Sequence, residues 1–179
     1  VHQNMPGQYR ELVQWLAGTG DHQIYFLTQR KAAPSFEGVQ TRVYEPHHKP
    51  ADNAYGLSKN WEESTGNGLG AARAARQIEK TEGFKPDIVI GHVGWGELTF
   101  FKEIWKDVPI IGLFEYYYSA TGGPVGFDPA ERVSENTPFL LHARNAVPLA
   151  NIETVDIGLS PTFWQRDRFP QSFHRKLYV

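Results

Sequence analysis

Two apolar runs of nearly the same build, Pro86-Asp87-Ile88-Val89-Ile90-Gly91-His92 and Pro109-Ile110-Ile111-Gly112-Leu113-Phe114-Glu115, constrain this chain more than any other feature. Neither alternates apolar with polar residues, so each reads as a strand buried on both faces. Such strands belong to parallel sheets, whose crossover connections lay helices on both sides. Each run also ends in an ionisable residue, His92 or Glu115, so each buried strand carries one polar group to its carboxyl end.

The remaining segments supply the crossovers. Pro6 and Gly7 open a helix in which Tyr9, Leu12, Val13 and Leu16 recur at three and four, and Gly18 and Gly20 stop it. His22 to Thr28 and Val39 to Glu45 read as short strands around a loop from Lys31 to Gly38. Asn53 to Lys80 is rich in Ala, Arg, Glu and Gln and lacks proline, which predicts a helix, broken or bent at Gly66-Asn67-Gly68. Glu97 to Trp105 reads as helix. Thr137-Pro138 caps another that runs to Leu149 with a kink at Pro148, and Val155 to Leu159 is a short strand.

This alternation predicts one domain, a doubly wound α/β sandwich on a parallel sheet. Ligands of such sheets sit beyond the carboxyl ends of the strands. His2 to Gly7, His92 to Gly96 and Glu115 to Ser119 are therefore expected to share one crevice. The opening residues read as the loop after a first strand whose body lies upstream, and the apolar run at Leu177-Tyr178-Val179 ends without turn chemistry. Both ends predict a piece of a larger protein.

Composition narrows the function classes. Charged residues are 21% and the net charge is −2, which argues against nucleic acid as a partner, since neutralising phosphates takes clustered Lys and Arg. The absence of cysteine removes disulfides, thiol nucleophiles and thiolate zinc sites. No segment approaches the roughly 20 apolar residues of a membrane helix. Cytoplasm is the default compartment; peripheral contact of the first helix with a membrane is the other reading, although Arg10, Glu11 and Gln14 give it no basic face.

Three places can carry chemistry. At Pro6-Gly7-Gln8 the first amides of a helix lack intrahelical partners and favour an anion, commonly phosphate, and Gly7 lets the backbone come close. The same dipeptide also serves simply to turn the chain. His92 is followed by Val93-Gly94-Trp95-Gly96, where glycines admit a ligand; the alternative is a histidine bonded to a neighbouring carbonyl. Glu115, beside Tyr116-Tyr117-Tyr118, suits hydroxyl binding or an ion pair with an arginine such as Arg144. Trp95 and Tyr116 suit the C–H faces of sugars, although most aromatics are expected in the core. No dinucleotide fingerprint and no P-loop is present, and His47-His48 has no second cluster at metal-ligand spacing, so no metal site is expected.

His2-Gln3-Asn4-Met5-Pro6-Gly7-Gln8, the Pro86 to His92 run and Phe114-Glu115-Tyr116-Tyr117-Tyr118, taken in order, resemble the amino-terminal domain of family 4 glycosyltransferases. Arg144-Asn145-Ala146, Ser160-Pro161-Thr162-Phe163-Trp164-Gln165 and the closing Phe169 to Val179 stretch extend the resemblance over essentially the whole chain. It implies a Rossmann-like domain, one half of a GT-B enzyme, that faces the acceptor, while a carboxy-terminal domain outside this sequence holds most of the nucleotide-sugar donor. It further implies retention of anomeric configuration, no metal and no other cofactor, and a sugar or lipid-linked acceptor.

By position, the resemblance sets Pro6, Gly7 and Gln8 against the donor's phosphates and sugar, and His92 against the transferred sugar. Gly94, Trp95, Glu115 and Tyr116 would contact substrate. The turn has one glycine where many relatives have two, and Glu115 stands where many have a second histidine. A fragment of this kind is expected to fold alone and transfer nothing. The competing readings are another GT-B enzyme, either a nucleotide-sugar epimerase or an inverting transferase, and a non-catalytic carbohydrate-binding α/β domain that uses Trp95 and Tyr116.

Overall fold

The computed structural model describes every residue except Pro129 and Glu131. In chain order it contains α1 (Arg10–Thr19), β1 (Ile24–Thr28), β2 (Val39–Val43), α2 (Gly56–Glu82), β3 (Val89–His92), β4 (Ile110–Leu113), α3 (Thr137–Arg144), α4 (Ala146–Thr154), β5 (Ile157–Leu159), α5 (Phe163–Arg168) and β6 (Leu177–Tyr178). Short 3₁₀ turns cover Gly7–Tyr9, Phe101–Glu103 and Gln171–Lys176.

All strand pairs are parallel. β1 pairs with β2 in register Ile24 to Val39, and β3-β4-β5-β6 form the second group, with Val89 opposite Ile110, Ile111 opposite Ile157, and Gly158 opposite Leu177. Residues 1–3 join the two groups. The Val1 nitrogen lies 2.5 Å from the Ile90 carbonyl, and the Val1 carbonyl accepts from the His92 amide at 3.4 Å, which is the bonding pattern of a parallel pair. On the other side the His2 amide donates to the Leu27 carbonyl and the Gln29 amide to the Gln3 carbonyl, both at 3.1 Å. The sheet thus runs β2, β1, residues 1–3, β3, β4, β5, β6. Its order reverses between residues 1–3 and β3, where doubly wound sheets open a crevice.

Alternation along the strands sorts the core to two faces. Phe26, Ile90 and Leu113 meet Met5, Tyr9 and Val13 of the α1 side. Leu27, Val89 and Ile110 meet Ala71, Ala75 and Ile78 of α2 and Ile152 of α4. Helices on both faces make this the expected doubly wound, Rossmann-like α/β fold.

Three predicted elements differ. Helix α2 passes through Gly66-Asn67-Gly68 without a break. Its glycines are there for close approach: a Cβ at Gly66, Gly68 or Gly70 would collide with the carbonyl oxygens of His48, Gly96 and Glu45. Each glycine costs about 1 kcal/mol of helix propensity, and backbone-to-backbone packing offsets it.

Glu97 to Trp105 is a series of turns with one 3₁₀ segment. The amides of Thr99, Phe101 and Ile104 bond three residues back, at 3.0 to 3.1 Å. The spacing of Leu98, Phe101 and Trp105 still buries all three.

The helix expected from Thr137 to Leu149 is two, broken at Asn145, whose side chain is committed to the Tyr118 backbone. Restarting at Ala146 places Pro148 in the first turn of α4, where a missing amide costs nothing.

Candidate active site

The loop leaving residues 1–3 holds the first candidate. Gly7 has φ +53°, in the left-handed region, and a Cβ there would lie 2.8 Å from the His2 imidazole. The Tyr9 amide bonds back to the Pro6 carbonyl at 3.0 Å, while the Gly7 and Gln8 amides find no acceptor among the described residues. Pro6 is buried; Gly7 and Gln8 are exposed. Gln8 reaches across, its Nε2 donating to Glu115 Oε2 at 3.3 Å.

His92 ends β3 and is 5% exposed. The Gly94 amide donates to its Nδ1 at 2.9 Å, so the proton of the neutral ring sits on Nε2, which donates to Glu115 Oε2 at 3.1 Å. Burial pushes the His92 pKa below its ordinary value, and Glu115 opposes that only partly. The ring packs edge-on against His2, centroids 5.6 Å apart, and lies 6.3 Å from the Trp95 ring. His2 is held lower still, at about 4, by burial and then by His92.

One oxygen of Glu115 therefore receives both Gln8 and His92. Glu115 and His92 line a small cleft together with Gly94, Trp95 and Tyr116. The structure brings five predicted residues, His92, Gly94, Trp95, Glu115 and Tyr116, to that cleft, and the Gln8 bond ties the Pro6-Gly7-Gln8 turn to its edge. The suggested Glu115–Arg144 ion pair is absent. Glu115 takes His92 instead, and Arg144 stacks on the Tyr118 ring at 4.3 Å.

A buried polar network supports the cleft from beneath. Glu97, 0% exposed, accepts from the Tyr44 hydroxyl at 3.2 Å. Gln29 Nε2 donates to that hydroxyl at 3.1 Å and to Asn67 Oδ1 at 3.0 Å, and Asn67 Nδ2 donates to the Trp95 carbonyl at 3.0 Å. Burial raises the Glu97 pKa. Gly96, at φ +88°, packs onto the Ser64 backbone of α2. Helix α2 thus fixes the His92 loop through the segment read from sequence as a break.

Sequence reasoning placed His2 in the expected crevice without giving it a role, and missed Asn67, Glu97 and Asn145 as parts of the site. The one available signal was chemical: Glu97 and Asn145 are polar residues set in apolar surroundings, Leu98 beside the first and Ala146-Val147 beside the second. At the flanking His47-His48 pair, His47 faces Arg73 and His48 faces Glu62. Among the described residues no helix is long and apolar enough to cross a membrane.

The comparison with curated proteins gives no match. A family model for the glycosyl transferase family 4 group matches residues 20–179, a span that includes β1 to β6, His92 and Glu115 and leaves the Gly7 turn outside it. The chain belongs to the glycosyl transferase family 4 group.

Proposed function

We propose that this chain is the acceptor-side half of a retaining glycosyltransferase that takes its sugar from a nucleotide-sugar. The observation that carries the reading is the meeting of Gln8 and His92 on one Glu115 oxygen at the sheet's switch point. Three segments distant in sequence converge there on groups suited to sugar hydroxyls.

In this reading the donor's nucleotide binds mainly to a second domain. The sugar's bond to the diphosphate breaks through an oxocarbenium-like transition state, and the acceptor hydroxyl's oxygen bonds to the same face of the anomeric carbon as its proton passes to the departing diphosphate oxygen. Negative charge grows on the departing diphosphate, and the Gly7 and Gln8 amides at the start of α1 are placed to receive it. Neutral His92 contacts the transferred sugar. Trp95 and Tyr116 offer ring faces to it or to the acceptor, a sugar or a lipid-linked sugar. Glu115 accepts from hydroxyls while holding His92.

The test is a panel of nucleotide-sugars supplied to the full-length enzyme, with product configuration read by NMR. Transfer with retention is expected. His92→Ala should lower kcat by about 10²-fold or more, on the scale of one lost group contacting the transition state. Inverted product or nucleotide-sugar epimerisation would replace the reading by another GT-B chemistry, and unchanged kcat in His92→Ala would make the imidazole structural.

A further inference from the structure

We propose that Arg144 and Tyr118 form an anion-binding subsite for the acceptor, so that the molecule receiving the sugar carries a carboxylate or phosphate beside its reactive hydroxyl. This rests on the glycosyl-transfer reading of the same cleft.

Arg144 closes α3 and lines the cleft that holds His92, Trp95, Glu115 and Tyr116. Its guanidinium lies 4.3 Å over the Tyr118 ring. No carboxylate among the described residues pairs with it, and its side chain makes no hydrogen bond to any of them. The carboxylate in the same cleft, Glu115, is held by His92 and Gln8. A stacked guanidinium keeps its N–H donors in the plane of the group, free to meet a ligand edge-on.

The support is rigid on both sides. Asn145, 2% exposed, accepts from the Tyr118 amide and donates to the Tyr118 carbonyl, both at 2.8 Å. Neighbouring residues at one helix junction thus hold the backbone that bears the ring and carry the cation that rests on it. Tyr118 also walls a second cavity of about 420 Å³, where Ser119, His142 and Arg168 offer polar contacts. An acceptor extending past Tyr118 would have room there.

The planar fork of an arginine matches the two oxygens of a carboxylate or phosphate, whereas a neutral sugar would leave this cation without opposite charge. The two sources of that chemistry, an acidic sugar and a phosphorylated one, differ in geometry and in charge, a phosphate monoester carrying about −1.5 to −2 at pH 7 against one charge on a carboxylate.

The test titrates the protein with glucuronate, glucose 6-phosphate and glucose by calorimetry. At least one charged probe should bind about tenfold or more tightly than glucose, the size expected of a charge-assisted contact, and the stronger of the two tells carboxylate from phosphate. Arg144→Gln should erase the margin, and Arg144→Lys should keep part of it. Equal binding of glucose, no binding of either charged probe, or a margin that survives Arg144→Gln would overturn the subsite.

A parallel transfer assay on the full-length enzyme separates the two ideas. Transfer to neutral acceptors alone leaves the glycosyltransferase and removes the subsite. Anion binding that depends on Arg144, without transfer from any nucleotide-sugar, does the reverse.

Discussion

Glu115 gathers the site into one object. Its Oε2 is shared between a side chain from the α1 turn and one from the end of β3, so either bond positions the other. The Gly7 turn depends on backbone conformation more than on any side chain. At φ +53° an L side chain is strained by roughly 1–2 kcal/mol, and a Cβ would press the His2 ring. Gly7→Val should therefore displace the amides of residues 7 and 8 while the core, which uses Met5 and Tyr9 rather than Gly7, stays folded. On the proposed glycosyl-transfer reading the expected result is a fall in kcat of about 10²-fold with a cooperative melt retained. Normal turnover would remove the turn from the chemistry.

Among the elements, α2 is the one whose role runs furthest from its sequence pattern. Gly66-Asn67-Gly68 reads as a helix breaker because glycine and asparagine have low helix propensity. Packing overrides this, since the two glycines admit the His48 and Gly96 carbonyls and Asn67 holds the Trp95 carbonyl. Asn67→Leu would preserve the helix and remove that anchor. It should alter the Trp95 environment, read by fluorescence, and raise KM for the acceptor more than it lowers kcat. An unchanged spectrum and KM would mean the loop is fixed by Gly96 packing alone.

The same contrast sets what the sequence makes legible. His92 and Glu115 are visible because buried parallel strands leave their polar groups at one end, and the first helix because its apolar residues recur at helical spacing. Asn67, Glu97 and Asn145 act through partners 27 to 53 positions away, which no local pattern encodes. Glu97 to Trp105 has helical spacing yet forms turns, because burying Leu98, Phe101 and Trp105 requires the spacing and not the α-helical bonds.

At the scale of the molecule, the sheet is held together across its centre by residues 1–3, and His2 lies in that seam with β1 on one side and β3 on the other. Protonating it puts a charge into a buried position beside His92. Its folded pKa, about 4, lies below the ordinary 6.5, so between those values the unfolded chain binds the proton that the folded chain refuses. Stability from His2 is thus full above pH 6.5 and falls as pH drops towards 4.

Glu97, raised by burial, has the opposite slope: its contribution is full below the ordinary carboxylate range and is lost as pH rises. The wild-type profile also contains other shifted groups, His92 and Asp156 among them, so the informative quantity is the difference from His2→Gln, measured by urea denaturation from pH 4 to 7. That difference should shrink steadily as the medium is acidified, because the variant has no imidazole to charge. A constant difference across the range would mean the seam tolerates the charge, and the joint between the two halves of the sheet would then owe its stability to the backbone bonds alone.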